Sequence, residues 1–224
     1  QCFLGLCLLW GARVVSAQGG AAAAPSVTLS VRDCGAKGDG VTDDSGAFQL
    51  AFKRAAQADH ACVRLPAGVY RLERAVAVVL DSPTGKGLSV VGEGQGVTVL
   101  RGAGTNGVLR ISDALCKAEI GIRDLTILAA REGAGTAIEV TSPPRGVRNY
   151  RTLTVENVDI RGEGLPSRNY FACGVRAVAQ WRPMFNNVIF SGVADPAACN
   201  TNRCDASPLF AAEARFEADL VRAV

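Results

Sequence analysis

Residues 33–48 read DCGAKGDGVTDDSGAF and set Asp39, Asp43 and Asp44 among Gly35, Gly38 and Gly40, just ahead of an apolar helical pattern. Two chemistries suit that segment. The three carboxylates are hard oxygen ligands of the kind that hold calcium. Alternatively, Thr42, Asp43 and Asp44 serve the free amides and positive dipole end of a helix, while the glycines take positive φ in a tight loop. Further along, YRL (70–72), LRI (109–111), IEV (138–140) and VRA (175–177) place Arg71, Arg110, Glu139 and Arg176 at the middle of short apolar runs. On stacked strands about 4.8 Å apart these four would form an outward column. Such a column suits an acidic sugar chain, with Arg71, Arg110 and Arg176 as binding residues and Glu139 as a catalytic acid; it equally suits a solvated ladder in which Glu139 offsets its neighbours. Asp159 is the second candidate acid, next to Thr126 and near Arg161 and Glu163. Trp181, in QWRPMFNN, is either a sugar-stacking platform or core. Ligand chemistry argues against zinc, because His60 is the single histidine and no CxxC occurs.

These side chains need elements to hold them. Val27, Leu29 and Val31 alternate with polar residues as a short strand. Ala47, Phe48, Ala51, Phe52 and Ala55 recur at helical spacing and predict an amphipathic helix from near Asp43 to Ala58. From Cys62 onward, short β-type runs repeat. LSVVG, LTILA, VDIRG and VIFSG start at 88, 125, 158 and 188, and the YRL-type runs interleave with them. Two interleaved strand series at similar intervals predict a coil in which each turn lies on the one before. Leu88, Leu125, Val158 and Val188 would then stack in one inward row, and Val90, Ile127, Ile160 and Phe190 in another. Asp124, Asn157 and Asn187 would form a polar stack at a corner. The alternative is an antiparallel sandwich, but Asn106-Gly107 is the single hairpin-type dipeptide of the Asn-Gly or Asp-Gly kind after residue 62.

The chain has 224 residues, 48 % apolar and 20 % charged, with a formal net charge of +3. No basic run marks a nucleic-acid partner, and this balance does not repel an acidic polysaccharide. Residues 1–17, QCFLGLCLLWGARVVSA, read as a signal peptide, so the mature protein is expected to be secreted and extracellular, with no membrane association. The chain starts with Gln rather than Met and is read as a fragment. Residues 18–26 read as a linker, 27–192 as the coil, and 193–224 as a tail that either caps the last turn or belongs to a truncated continuation. Six cysteines follow the leader, which permits three disulfides; Cys199 and Cys204 are the one pair whose spacing suggests partners, with buried thiols as the alternative for the rest.

The stretch VRDCGAKGDGVTDDSGAFQLAF (31–52) followed by VRLPAGVYRL (63–72) resembles the N-terminal signature of the pectate lyase superfamily, rhamnogalacturonase/epimerase-like proteins included. Cys34 departs from it, standing where an aromatic is usual. The resemblance covers roughly residues 27–192. It implies an all-β, right-handed parallel β-helix, here of about four turns, with an N-terminal capping α-helix, and it favours the cap over calcium for the opening motif. It also implies a polysaccharide partner and a fragment of a pectin- or uronate-type lyase or a glycoside hydrolase; calcium would serve a lyase. The alternative is a noncatalytic carbohydrate-binding or structural surface β-helix. No polygalacturonase motif is present: RNYFACG (168–174) stands where an acidic NTD segment would.

Overall fold

The computed structural model describes residues 27–81, 86–143, 153–164, 169–180 and 183–191. The leader, the linker, the 193–224 tail, Trp181 and the Cys199/Cys204 pair lie outside these residues. The elements in chain order are β1 (Val27–Ser30), a 3-10 turn (Arg32–Cys34), β2 (Asp39–Asp43), α1 (Ser45–Ala55), β3 (His60–Arg64), β4 (Gly68–Leu72) and β5 (Val76–Leu80). They continue as β6 (Lys86–Val91), β7 (Thr98–Gly102), β8 (Leu109–Asp113), β9 (Ala118–Ala129), β10 (Thr136–Thr141), β11 (Leu153–Gly162), β12 (Cys173–Val178) and β13 (Met184–Ser191).

Each strand pairs in parallel with the strand one turn away, which makes the chain a parallel β-helix of about five turns, one more than expected. One sheet holds β1, β3, β6, β9, β7, β4 and β2, with β11 and β13 continuing it from β9; the other runs β12-β10-β8-β5. In the turns of β3/β4 and β6/β7, the first sheet is broken by a connection. From β9 onward one long strand passes the corner, because a single residue takes the left-handed conformation there: Asp124 (φ 60°), Asn157 (φ 52°) and Asn187 (φ 50°). Asn and Asp tolerate that conformation better than other side-chain-bearing residues. The expected polar stack forms: the Asn157 amide donates to Asp124 Oδ1 at 2.7 Å, and that of Asn187 donates to Asn157 Oδ1 at 2.9 Å. The stack begins at Asp124 because Gly92 precedes it. A Cβ on Gly92 would lie 2.0 Å from the Asp124 carbonyl oxygen.

The interior is a set of aligned apolar rows. Leu125, Val158 and Val188 stack as expected, as do Ile127, Ile160 and Phe190. Leu88 and Val90 do not join them: they lie on Ile120 and Ile122, before the corner, and Leu100 on β7 is the residue above Ile127. The spacing of 88 to 125 matched the wrong side of the bend, since the connection at 93–97 displaces the register there.

The helix is shorter than its expected span and closes the apolar end of the coil with Phe48, Ala51, Phe52 and Ala55, all buried. The Lys86 ammonium donates to the Ala56 carbonyl just past the helix end, a position that suits positive charge. The opening aspartates are occupied by their own chain. Asp39 accepts from the Val41 and Thr42 amides at 2.9 and 2.8 Å and from the Thr42 hydroxyl at 2.7 Å. Those bonds, the Thr42 amide foremost, lower its pKa to about 2. Asp43 accepts from the Ser45 amide at 3.0 Å and from its hydroxyl. Asp44 sits at the N-cap, yet its carboxylate turns back and accepts from the Lys37 and Gly38 amides at 2.7 and 3.0 Å. It therefore ties the glycine loop to the helix instead of serving the helix amides.

The two separated signature segments meet in space. Arg32 donates to the carbonyls of Lys37 and Ala67 at 3.2 and 2.7 Å and lies 6.0 Å from the Tyr70 ring centre. The Tyr70 hydroxyl donates to Pro66 O at 2.7 Å, and its ring meets Phe48 edge-on at 5.2 Å. Gly38, at φ 64°, passes so close that a Cβ would lie 2.9 Å from Tyr70 Cε1. Of the cysteines expected to permit disulfides, Cys34 and Cys62 are thiols here.

Candidate functional site

The second sheet carries the charge column. Along β8, β10 and β12, Leu109, Ile138 and Val175 point inward in one register row and Ile111, Val140 and Ala177 in the next, all buried. Strand alternation puts the residues between these rows outside. Arg110, Glu139 and Arg176 therefore lie side by side on three consecutive rungs. Glu139 Oε2 accepts from Arg110 Nε at 2.7 Å and Oε1 accepts from Arg176 Nη1 at 3.3 Å. The glutamate side chain is 15 % exposed, whereas the arginines are 51 % and 47 % exposed. The carboxylate thus lies low between two raised guanidiniums, and the trio keeps one positive charge in excess. Ser112 and Thr141 form the adjacent polar row. Strand alternation in LRIS and IEVT puts that row on the same outward face as the charges.

Arg71 is not part of the column. It lies on β4 in the other sheet, in register with Arg101, and bonds Val41 O at 2.9 Å and Glu73 at 2.5 Å. The rung position next to Arg110 belongs to Ala77 on β5. The YRL run resembled LRI locally but precedes a corner, and the uncharged VAVVL segment that follows it is the true neighbour.

Asp159 faces outward on β11 in register with Thr126, as expected, and its Oδ2 accepts from Arg161 Nε at 2.8 Å. Its Oδ1 is buried and accepts no hydrogen bond. Glu163 turns instead to Arg101, which donates through Nε at 2.9 and 3.0 Å and through Nη2 at 2.9 Å. Glu139 and Asp159 stand on different sheets, so the two candidate acids do not face one substrate bond.

The carboxylates of Asp39, Asp43 and Asp44 are engaged as described, and the described residues hold no group of three or more His, Cys, Asp or Glu suited to a metal ion. Among these residues no helix is long and apolar enough to cross a membrane.

Comparison with known proteins adds the following. Residues 28–126 match the family described as rhamnogalacturonase A/epimerase, pectate lyase-like. The chain is 32 % identical over 146 residues to alginate lyase 7 of Azotobacter vinelandii, covering 59 % of this chain and 16 % of that protein. It is 30 % identical over 145 residues to mannuronan C5-epimerase AlgE4 of the same organism, covering 59 % of this chain and 26 % of that one. It therefore spans well under half the length of the curated relatives it matches. Among solved structures, the AlgE4 A-module aligns at a TM-score of 0.43 with 24 % identity, over 72 % of this chain and 49 % of that one. Geobacillus virus E2 ORF18 aligns at 0.37 with 21 % identity, over 73 % and 35 %.

Proposed function

We propose that this chain, which belongs through residues 28–126 to the rhamnogalacturonase A/epimerase, pectate lyase-like family, is part of a secreted polysaccharide-active protein that holds an acidic polysaccharide on its four-stranded sheet. The observation that carries this reading is the in-register trio Arg110, Glu139 and Arg176, whose two guanidiniums stand half-exposed above a shared carboxylate. Arginine is the side chain suited to binding carboxylates through paired N–H donors. The names of the relatives, an alginate lyase and a mannuronan epimerase, support a uronate polymer as the ligand.

Elimination and C5 epimerisation of a uronate share a first demand. The proton beside the carboxylate is removed, and the developing negative charge must be stabilised. Arginines seated on that carboxylate meet the second part of the demand. The lyase-type or epimerase-type reading therefore stands ahead of a glycoside hydrolase, which needs two facing carboxylates. A noncatalytic binding role is the second reading, favoured because both oxygens of Glu139 already accept from arginine.

Titration calorimetry with oligomannuronate, oligogalacturonate and neutral cello-oligosaccharide tests binding. The chain should bind a uronate series, more weakly as salt is raised, and the Arg110→Ala/Arg176→Ala double variant should lose about tenfold or more, given the strength of hydrogen bonds to charged groups. Equal affinity of the double variant, or equal binding of the neutral sugar, would contradict the reading. Release of unsaturated products from the polymers, with and without EDTA, separates the enzyme from the binder.

A further inference from the structure

We infer that Glu139 is a positioning residue that restrains the side chains of Arg110 and Arg176, which the sheet sets two rungs apart, so that together they grip alternate carboxylates along one face of an extended uronate chain. This rests on the proposed binding of an acidic polysaccharide to the same sheet.

The two arginines are not neighbours in the column; Glu139 occupies the rung between them. Adjacent rungs of a sheet are about 4.8 Å apart, so the backbone positions of the arginines are separated by roughly 9.5 Å. Two guanidiniums left to themselves would repel and sample many rotamers, since arginine side chains carry much conformational freedom. Glu139 gives a separate oxygen to each, at 2.7 and 3.3 Å, and so restrains the rotamers of both from below. Its burial relative to the arginines leaves the raised guanidiniums, and not the carboxylate, at the surface that a polymer meets.

A polymer laid along the coil axis advances by about one sugar per rung. In a 1,4-linked uronate with a two-fold repeat, successive carboxylates turn to opposite sides, so those on one side recur every second sugar. That recurrence matches arginines two rungs apart. A three-fold chain presents same-side carboxylates every third sugar and meets one arginine at a time. The column therefore selects ligand shape as well as charge.

The alternative, in which Glu139 merely offsets nearby positive charge, makes an opposite prediction. Removing its charge would then strengthen binding of every anion. The test is calorimetry with dimannuronate, trimannuronate and trigalacturonate on the intact chain and on Glu139→Gln and Arg176→Lys, with circular dichroism confirming each fold. The dimer reaches one arginine on a given side and the trimer reaches both. The wild type should bind trimannuronate about tenfold or more tightly than dimannuronate or trigalacturonate, consistent with a second tethered contact. Glu139→Gln should lose most of that length preference. Arg176→Lys, which keeps the charge and loses the planar fork, should also lose it. Tighter binding of all three ligands by Glu139→Gln, or an unchanged length preference, would overturn the positioning role. Absence of uronate binding by the wild type would instead remove the underlying reading of the sheet.

Discussion

Asp44→Ala is expected to destabilise the chain by about 2–4 kcal/mol, since the amides of Lys37 and Gly38 would each lose a part-buried hydrogen bond to a charged acceptor, a bond worth about 1.5–3 kcal/mol apiece before water replaces any of it. Asp44 is 1 % exposed and bonds both amides directly. Asp44→Asn keeps one acceptor oxygen in place and should fall between the wild type and the alanine variant. Denaturant melts followed by far-UV circular dichroism measure the difference, and a change below about 0.5 kcal/mol, the ordinary surface value, would refute the role given to this carboxylate. The exposed Asp39 beside it behaves differently. Its pKa is lowered, so its bonds to Thr42 and Val41 contribute at pH above the ordinary carboxylate value of 3.8 and are lost as the pH falls towards about 2.

Phe48→Ala should be the most damaging single truncation in the cap, at about 3–5 kcal/mol. The ring is fully buried and stacks edge-on against Tyr70, whose hydroxyl and ring in turn hold Pro66 and Arg32. Its removal opens a cavity where helix, glycine loop and first rungs meet. That loss is a large part of the total stability of an ordinary domain. Leu50, on the same helix and 40 % exposed, supplies the control. Leu50→Ala should move the melting midpoint by little, and native-state hydrogen exchange should speed up at β3 and β4 in the Phe48 variant alone.

The cap was legible in the sequence because its chemistry is local. Glycines needing positive φ, acceptors before a helix and an apolar helical face all fall within a few residues; the glycines and the apolar face took the role their type suggests, and of the acceptors Asp43 meets a helix amide. Asp44 was legible as a helix-end residue but not as the tether of the loop, since the chain folds back on itself to bring Lys37 and Gly38 to it. The corner stack of Asp124, Asn157 and Asn187 was legible for a similar reason: Asp or Asn, side chains of one shape, recur where one conformation is required. The column was harder to read. Strand alternation tells inside from outside at Arg110, Glu139 and Arg176, but it does not tell which corner a strand has passed. Arg71 was thus placed on the wrong sheet, and Leu88 was matched to Leu125 instead of Ile120. The ion pair of Arg101 with Glu163 spans two turns, and no spacing within either run announces it.

The central claim is that the outward face of β8, β10 and β12 receives an acidic polysaccharide through its arginines. Proton–nitrogen NMR of the arginine Nε–H groups, recorded while trimannuronate is added, tests it most directly. The resonances of Arg110 and Arg176 should shift together and saturate with the calorimetric affinity, while those of Arg71, Arg101 and Arg161 on the other sheet stay in place. Shifts confined to the latter three, with Arg110 and Arg176 unmoved at saturation, would contradict the account.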